Sequence, residues 1–131
     1  MVYEGLETTI KENYMNITLT EELYVKHAQD FDWTWEAAQM FDDSKLAEYK
    51  AQEACLQLDY TLALAPIRSE HNKDMNALRE AYEKLTYPDW LEYNRQIVDM
   101  MIDYSKQKTT LWAKYNLACA KLFYSIMTKG V

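Results

Sequence analysis

The sequence predicts an all-α protein, a helical bundle of about four to six helices with long antiparallel members. Three observations point to it. Apolar residues recur every three to four positions along nearly the whole chain, the period of one helix face. Only two glycines occur in 131 residues, Gly5 and Gly130, both near the ends. No Asn-Gly or Asp-Gly pair is present, so the turn chemistry of tight β-hairpins is missing.

Taken in order, Val2, Leu6, Ile10 and Tyr14 fall four apart and mark one face of a first helix. Thr18 or Thr20 then caps a short second helix. Thr18-x-x-Glu21 has capping-box form, in which hydroxyl and carboxylate satisfy each other's free amides. That helix carries Leu23, Tyr24 and His27 and runs out near Asp30. Asp30 or Asp32 starts the next, with Trp33, Ala37 and Phe41 at i, i+4 and i+8 and Trp35 and Ala38 on an adjoining strip.

Asp42, Asp43 and Ser44 offer a fresh N-cap, and Leu46, Tyr49, Leu56, Tyr60, Ala63 and Ile67 follow at helical spacing. Met75, Leu78, Tyr82 and Leu85 resume it after a slip near Pro66. Because proline cannot donate to the helical ladder, Pro66 predicts a kink or a new helix start. Pro88 sits where a helix accepts proline as its first residue, and Gly130 can end the run. An unbroken helix over 88–128 would be a rod of about 60 Å. A compact domain of this length has a radius of gyration of about 14 Å, so the rod would protrude. The polar run Lys106-Gln107-Lys108-Thr109-Thr110 therefore predicts a break or bend. The alternative is an unbroken helix that finds its packing partner in another subunit. No repeat, low-complexity tract or linker divides residues 1–131, which reads as a single all-α domain.

Several function classes are excluded or disfavoured. Phosphate loops, dinucleotide fingerprints and nucleophile elbows all need interior glycines. A carboxylate-bridged di-metal bundle needs Glu-x-x-His on two helices, but Tyr24 precedes His27 by three and Arg68 precedes His71 by three. What remains is Asp30 three after His27 and Asp74 three after His71. Two His and two Asp are a zinc-like donor set, and two local charge pairs are the simpler reading. Cys55 and Cys119, without Cys-x-x-Cys spacing, read as small buried hydrophobes and not as a disulfide. The expectation is a protein that is not an enzyme, with no catalytic residue, cofactor or metal. No apolar run reaches the ~18–20 residues that span a bilayer. The acidic start MVYEGLETTIKENY has no signal-peptide character, which predicts a protein not secreted by that route.

Residues 30–43, DFDWTWEAAQMFDD, hold five carboxylates and four large aromatics. Rings beside a carboxylate could desolvate it and raise its pKa for acid–base work. Yet Asp30, Asp32, Asp42 and Asp43 all fall where helix starts want a cap or a negative charge. Capping explains them more simply. With 11 Tyr, four Trp and three Phe, the chain is rich in rings for a slim helical domain. They either close the ends of a packed bundle or face a partner, since Tyr, Trp and Met are enriched at interface centres. Tyr24, Phe31, Trp33, Trp35 and Phe41 are the candidate interface residues.

The net charge of -7 is unevenly spread. After Asp103 there are no acids but five lysines, Lys106, Lys108, Lys114, Lys121 and Lys129. Residues 1–103 hold nine basic residues against all 21 acids, a net of -12. Lysines interleaved with Trp112, Tyr115 and Tyr124 are the candidate DNA contacts. The alternative is a basic helix end that neutralises acidic neighbours in the same or the next copy.

In length, in acidic and Tyr-rich composition, and in its two successive long helices over 43–85 and 88–128, the chain resembles the small all-helical major coat proteins of large, tailed, spindle-shaped (two-tailed) archaeal viruses. That resemblance covers the whole chain without a shared motif and transfers no functional residue. It implies a helical protein that self-associates into a virion shell around DNA, assembled in or released from the host cytoplasm. The other reading of the same acidity is a virus- or phage-encoded inhibitor or adaptor that binds a basic host protein.

Overall fold

A computed structural model describes residues 20–129. Among them the chain is all-helical, with four helices: α1, Glu21–Lys26; α2, Trp33–Met40; α3, Asp43–Glu83; and α4, Trp90–Met127. There is no strand among the described residues. The expected first helix through Val2, Leu6, Ile10 and Tyr14, and the caps at Thr18 and Gly130, lie outside them.

Helix starts follow the Asp residues as expected. Asp32 accepts from the Trp35 amide at 3.1 Å and begins α2. Asp42 accepts from the Lys45 amide at 2.8 Å and begins α3. Before α4 the cap is Asp89, which accepts from the Glu92 amide at 3.1 Å. Pro88 is thus one residue outside the helix start and not its first member. Each cap satisfies one of the four amides that a helix N-terminus leaves open. Thr20 stands at the N-cap of α1 without a side-chain cap, and Glu21 and Glu22 complement the helix dipole there instead.

Neither Pro66 nor the polar run of α4 divides its helix. Pro66 lies inside α3, and α4 passes without a break through Lys106–Thr110. Proline removes only the bond to the Leu62 carbonyl, and Leu62 is exposed, so water can take that acceptor. The polar run in α4 lies on exposed positions of a helix whose other faces are apolar. Exposed polar residues are no obstacle to a helix.

The chain packs as two compact units. The first joins the described residues up to Asp59 with those from Ala113 to Lys129. Its core gathers Tyr24, Trp33, Ala37, Tyr49, Ala120, Phe123 and Ile126. Phe123 is the hub. Phe41 stacks on it with ring centroids 4.7 Å apart, and Trp33 and Tyr24 lie at 5.3 and 6.0 Å. Two of the buried rings find partners for their polar tips: Trp33 Nε1 donates to the Ala28 carbonyl at 3.0 Å, and Tyr24 Oη donates to Met127 Sδ at 3.2 Å. Lys45 Nζ donates to the Met127 carbonyl at the C-terminus of α4, where a cation is favoured.

The second unit, Tyr60–Trp112, is an antiparallel helix hairpin. Tyr60 meets Trp112, His71 stacks on Tyr104 at 4.4 Å, and Tyr82 meets Tyr93 at 5.1 Å, so rising numbers on α3 face falling numbers on α4. Gln96 donates to Tyr82 Oη and Arg68 donates to Tyr104 Oη, both at 3.3 Å. The least exposed positions on α3, at 60, 64, 67, 71, 75, 78 and 82, follow steps of three and four, the spacing of a coiled-coil seam. Leu64 takes the place expected for Ala63, which is exposed.

Candidate self-association interface

The five expected interface residues all belong to the first unit and lie close together. Tyr24 and Trp33 are buried within its core, Phe31 and Phe41 pack half-buried against that core, and Trp35 is half-buried. Phe31 packs edge-on to Trp33 at 5.7 Å. Much of the ring surface on α1 and α2 is therefore used inside the chain, closing the end of the bundle, which was one of the two readings of the aromatic surplus.

One carboxylate of DFDWTWEAAQMFDD is desolvated, and it is Glu36. Its side chain has no solvent exposure, and neither oxygen has a hydrogen-bond partner. Burial, and then the nearby Asp32 charge, push its pKa up to about 7. Nearby in the same unit, Tyr115 donates to Glu53, and burial reinforced by that bond pushes the Tyr115 phenol upward. Burial likewise raises the Cys119 thiol. Cys119 is buried as expected, whereas Cys55 is exposed, and both are free thiols. Cys55 sits on the outer face of α3, so its apolar neighbours in sequence do not enclose it.

His27 and Asp30 form a local pair at 2.9 Å. His71 lines an open groove with Glu70, Asp74 and Asp103 and lies flat on Tyr104. Among the described residues no three His, Cys, Asp or Glu side chains are placed to share a metal ion.

The five lysines are divided between the two units. Lys106 and Lys108 lie in the second unit, and Lys114, Lys121 and Lys129 in the first. All are exposed, and Lys129 is paired with Glu48. Lys114 and Lys121, seven apart, share a face of α4.

Most of the exposed large hydrophobic side chains lie on the second unit. Of its described residues only Leu64 is buried. Leu62, Leu85, Tyr87, Trp90, Leu91, Val98, Met101, Ile102 and Trp112 are all exposed large hydrophobics, with Tyr87 at 93% and Leu91 at 82%. On α4 they form a stripe. Tyr93, Ile97, Met100, Tyr104 and Leu111 are half-buried on the side toward α3, Leu91, Val98, Met101 and Ile102 fall on a neighbouring side, and Trp112 lies at the edge between the two, half-exposed beside Tyr60 of α3. A soluble helix is normally apolar on one face only, and an unfilled second face marks an interaction site. Sequence reading overlooked this stripe. Its signal was present in the seven-residue step from Leu91 to Val98 and the Met101-Ile102 pair, which cannot both sit on the face of Met100 and Tyr104.

At one end of the stripe, Trp112 borders a groove of about 550 Å³ with Tyr60, Leu64, Arg68, Ser105, Lys108 and Thr109. The charge of this unit is nearly balanced. Residues 60–112 hold seven basic and eight acidic side chains, and the remainder of the chain carries -6. No helix among the described residues is long and apolar enough to cross a membrane. No protein-family model matches this chain, and no curated protein and no solved structure matches it either.

Proposed function

We propose that the protein is a non-enzymatic structural protein that self-associates, in the manner of a virion coat subunit, and that the helix hairpin of residues 60–112 supplies the contact. The observation that carries this reading is the hairpin's lack of a core. Two helices share one narrow seam, and the opposite face of α4 presents Leu91, Val98, Met101 and Ile102 to solvent. Exposed apolar side chains gain roughly 1.5–3 kcal/mol each when fully buried, so a few of them suffice to drive pairing. The unbroken α4 supports the same reading, because a helix of that length was expected to need packing from another subunit. Near-neutral charge on the hairpin keeps the repulsion at the contact itself small, although the chain as a whole is acidic.

The test is light scattering behind size-exclusion over a concentration series, on the natural chain and on Val98→Lys/Met101→Lys. The natural chain grows into dimers and larger species with concentration, and the variant stays monomeric with unchanged helical circular dichroism. A natural chain that remains monomeric at every concentration would overturn the reading and favour the inhibitor of a basic host protein.

A further inference from the structure

The geometry points to a specific mode of pairing: α4 of one copy lies antiparallel against α4 of a second copy about a two-fold axis between Met101 and Ile102. This inference rests on the self-association reading above and adds the partner's orientation and register. The stripe on α4 consists of Leu91, Val98, Met101, Ile102, Ser105 and Trp112. Its spacing reads the same from both ends. Leu91 lies as far before the midpoint of Met101 and Ile102 as Trp112 lies after it, and Val98 and Ser105 are likewise equidistant. A two-fold axis at that midpoint sets Met101 against the partner copy's equivalent of Ile102. It also sets Val98 against Ser105, and Leu91 against Trp112. An isologous interface requires this self-complementarity.

Shape agrees with the register. Leu91, the most exposed residue of the stripe, arrives at Trp112, beside the groove lined by Tyr60, Leu64, Arg68 and Lys108. A protruding leucine thereby meets a hollow bordered by rings, as a knob meets a hole. Ser105 opposite Val98 is a small residue facing a β-branched one, which lets the helices approach closely.

Charge selects antiparallel over parallel. In the hairpin's part of α4, residues 90–103 hold Glu92, Asp99 and Asp103 against Arg95, while residues 104–112 hold Lys106 and Lys108 and no acid. Antiparallel pairing brings each acidic half to the other copy's basic half. Parallel pairing stacks Lys106 and Lys108 on their own equivalents and the acids on theirs, which is unfavourable. Arg95 is already held by Glu92 through a two-point contact at 2.6 and 2.9 Å, so it adds little to the pattern.

The test places single cysteines along the stripe of the full chain, with Cys55→Ser to remove the exposed native thiol. Met101→Cys is expected to form a disulfide-linked dimer under mild oxidation. Leu91→Cys is expected to form none, because the two equivalent positions are then about 30 Å apart along the helices. The double variant Leu91→Cys/Trp112→Cys is expected to cross-link. Cross-linking of Leu91→Cys alone at the rate of Met101→Cys would show a parallel pair and overturn the orientation, with self-association still standing. A dimer by light scattering in which none of the three variants cross-links would also overturn the pairing. Absence of any dimer at all would overturn both this inference and the reading beneath it. Lys106→Glu is expected to weaken dimerisation severalfold, and Asp99→Lys in the same chain to restore it; no restoration would count against the antiparallel charge match.

Discussion

Glu36 is the residue at which the described structure holds the most unfavourable polar group. A carboxylate with no exposure and no partner resists ionisation, which is why its pKa lies about 7 instead of the ordinary 4.5. In the unfolded chain the group ionises from about pH 4.5 upward, while in the folded chain it keeps its proton until about pH 7. Folding stability therefore falls as pH rises through that window and levels off above it, by about 3 kcal/mol in total at 1.36 kcal/mol per pH unit. Glu36→Gln is expected to remove most of that slope and to be more stable than the natural chain at pH 7 by about 1–3 kcal/mol. At pH 4 the two should be nearly equal. Urea unfolding at several pH values measures both. Trp33 makes the opposite case, a side chain fully engaged by rings and by the Ala28 carbonyl. Trp33→Ala should lose about 3–5 kcal/mol. Any loss of association in that variant would accompany loss of the fold, unlike Val98→Lys/Met101→Lys, which should lose association alone.

At the scale of elements, the helix starts were legible because Asp precedes each apolar periodic run, and of the alternatives Asp30 or Asp32, and Asp42, Asp43 or Ser44, it is Asp32 and Asp42 that cap. Pro66 does not start a new helix, because its surroundings outweigh a proline's local effect. The seam residues Leu64, Ile67 and His71 flank it on α3, and their packing within the hairpin keeps the helix continuous across one missing bond. An interior proline still destabilises a helix by about 3 kcal/mol relative to alanine. Pro66→Ala is accordingly expected to raise the thermal midpoint, by an amount equivalent to about 1–3 kcal/mol, without changing the helical signal at low temperature. A smaller effect would mean that the restriction proline places on the unfolded chain offsets the missing bond. The second face of α4 was legible in principle and overlooked, since polar Lys106–Thr110 drew the eye to a break. The burial of Glu36 was not legible, because which carboxylate of a dense acidic stretch turns inward depends on the packing of α2 and not on its neighbours in sequence.

For the whole molecule, the division of charge has a consequence that separates the two functional readings. The hairpin that presents the stripe is close to neutral, while the rest of the chain carries most of the -7. Two associating copies therefore attract through apolar side chains and repel through the remaining acids. Salt screens that repulsion over a Debye length of about 10 Å at 0.1 M, so self-association should tighten as salt rises from 10 to 200 mM at pH 7. Lowering the pH toward the isoelectric point of about 4.8 should tighten it again, as carboxylates take up protons and the net charge approaches zero. Capture of a basic host protein would respond with the other sign. Its affinity would fall with salt, and it would fall as the acids are neutralised. Sedimentation velocity across a grid of salt and pH reads the trend directly. Apparent dissociation constants that decrease along both axes belong to a subunit that binds its own kind. Constants that do not change would mean that acids distant from the hairpin do not reach the interface, and the repulsion assigned to them here would be wrong.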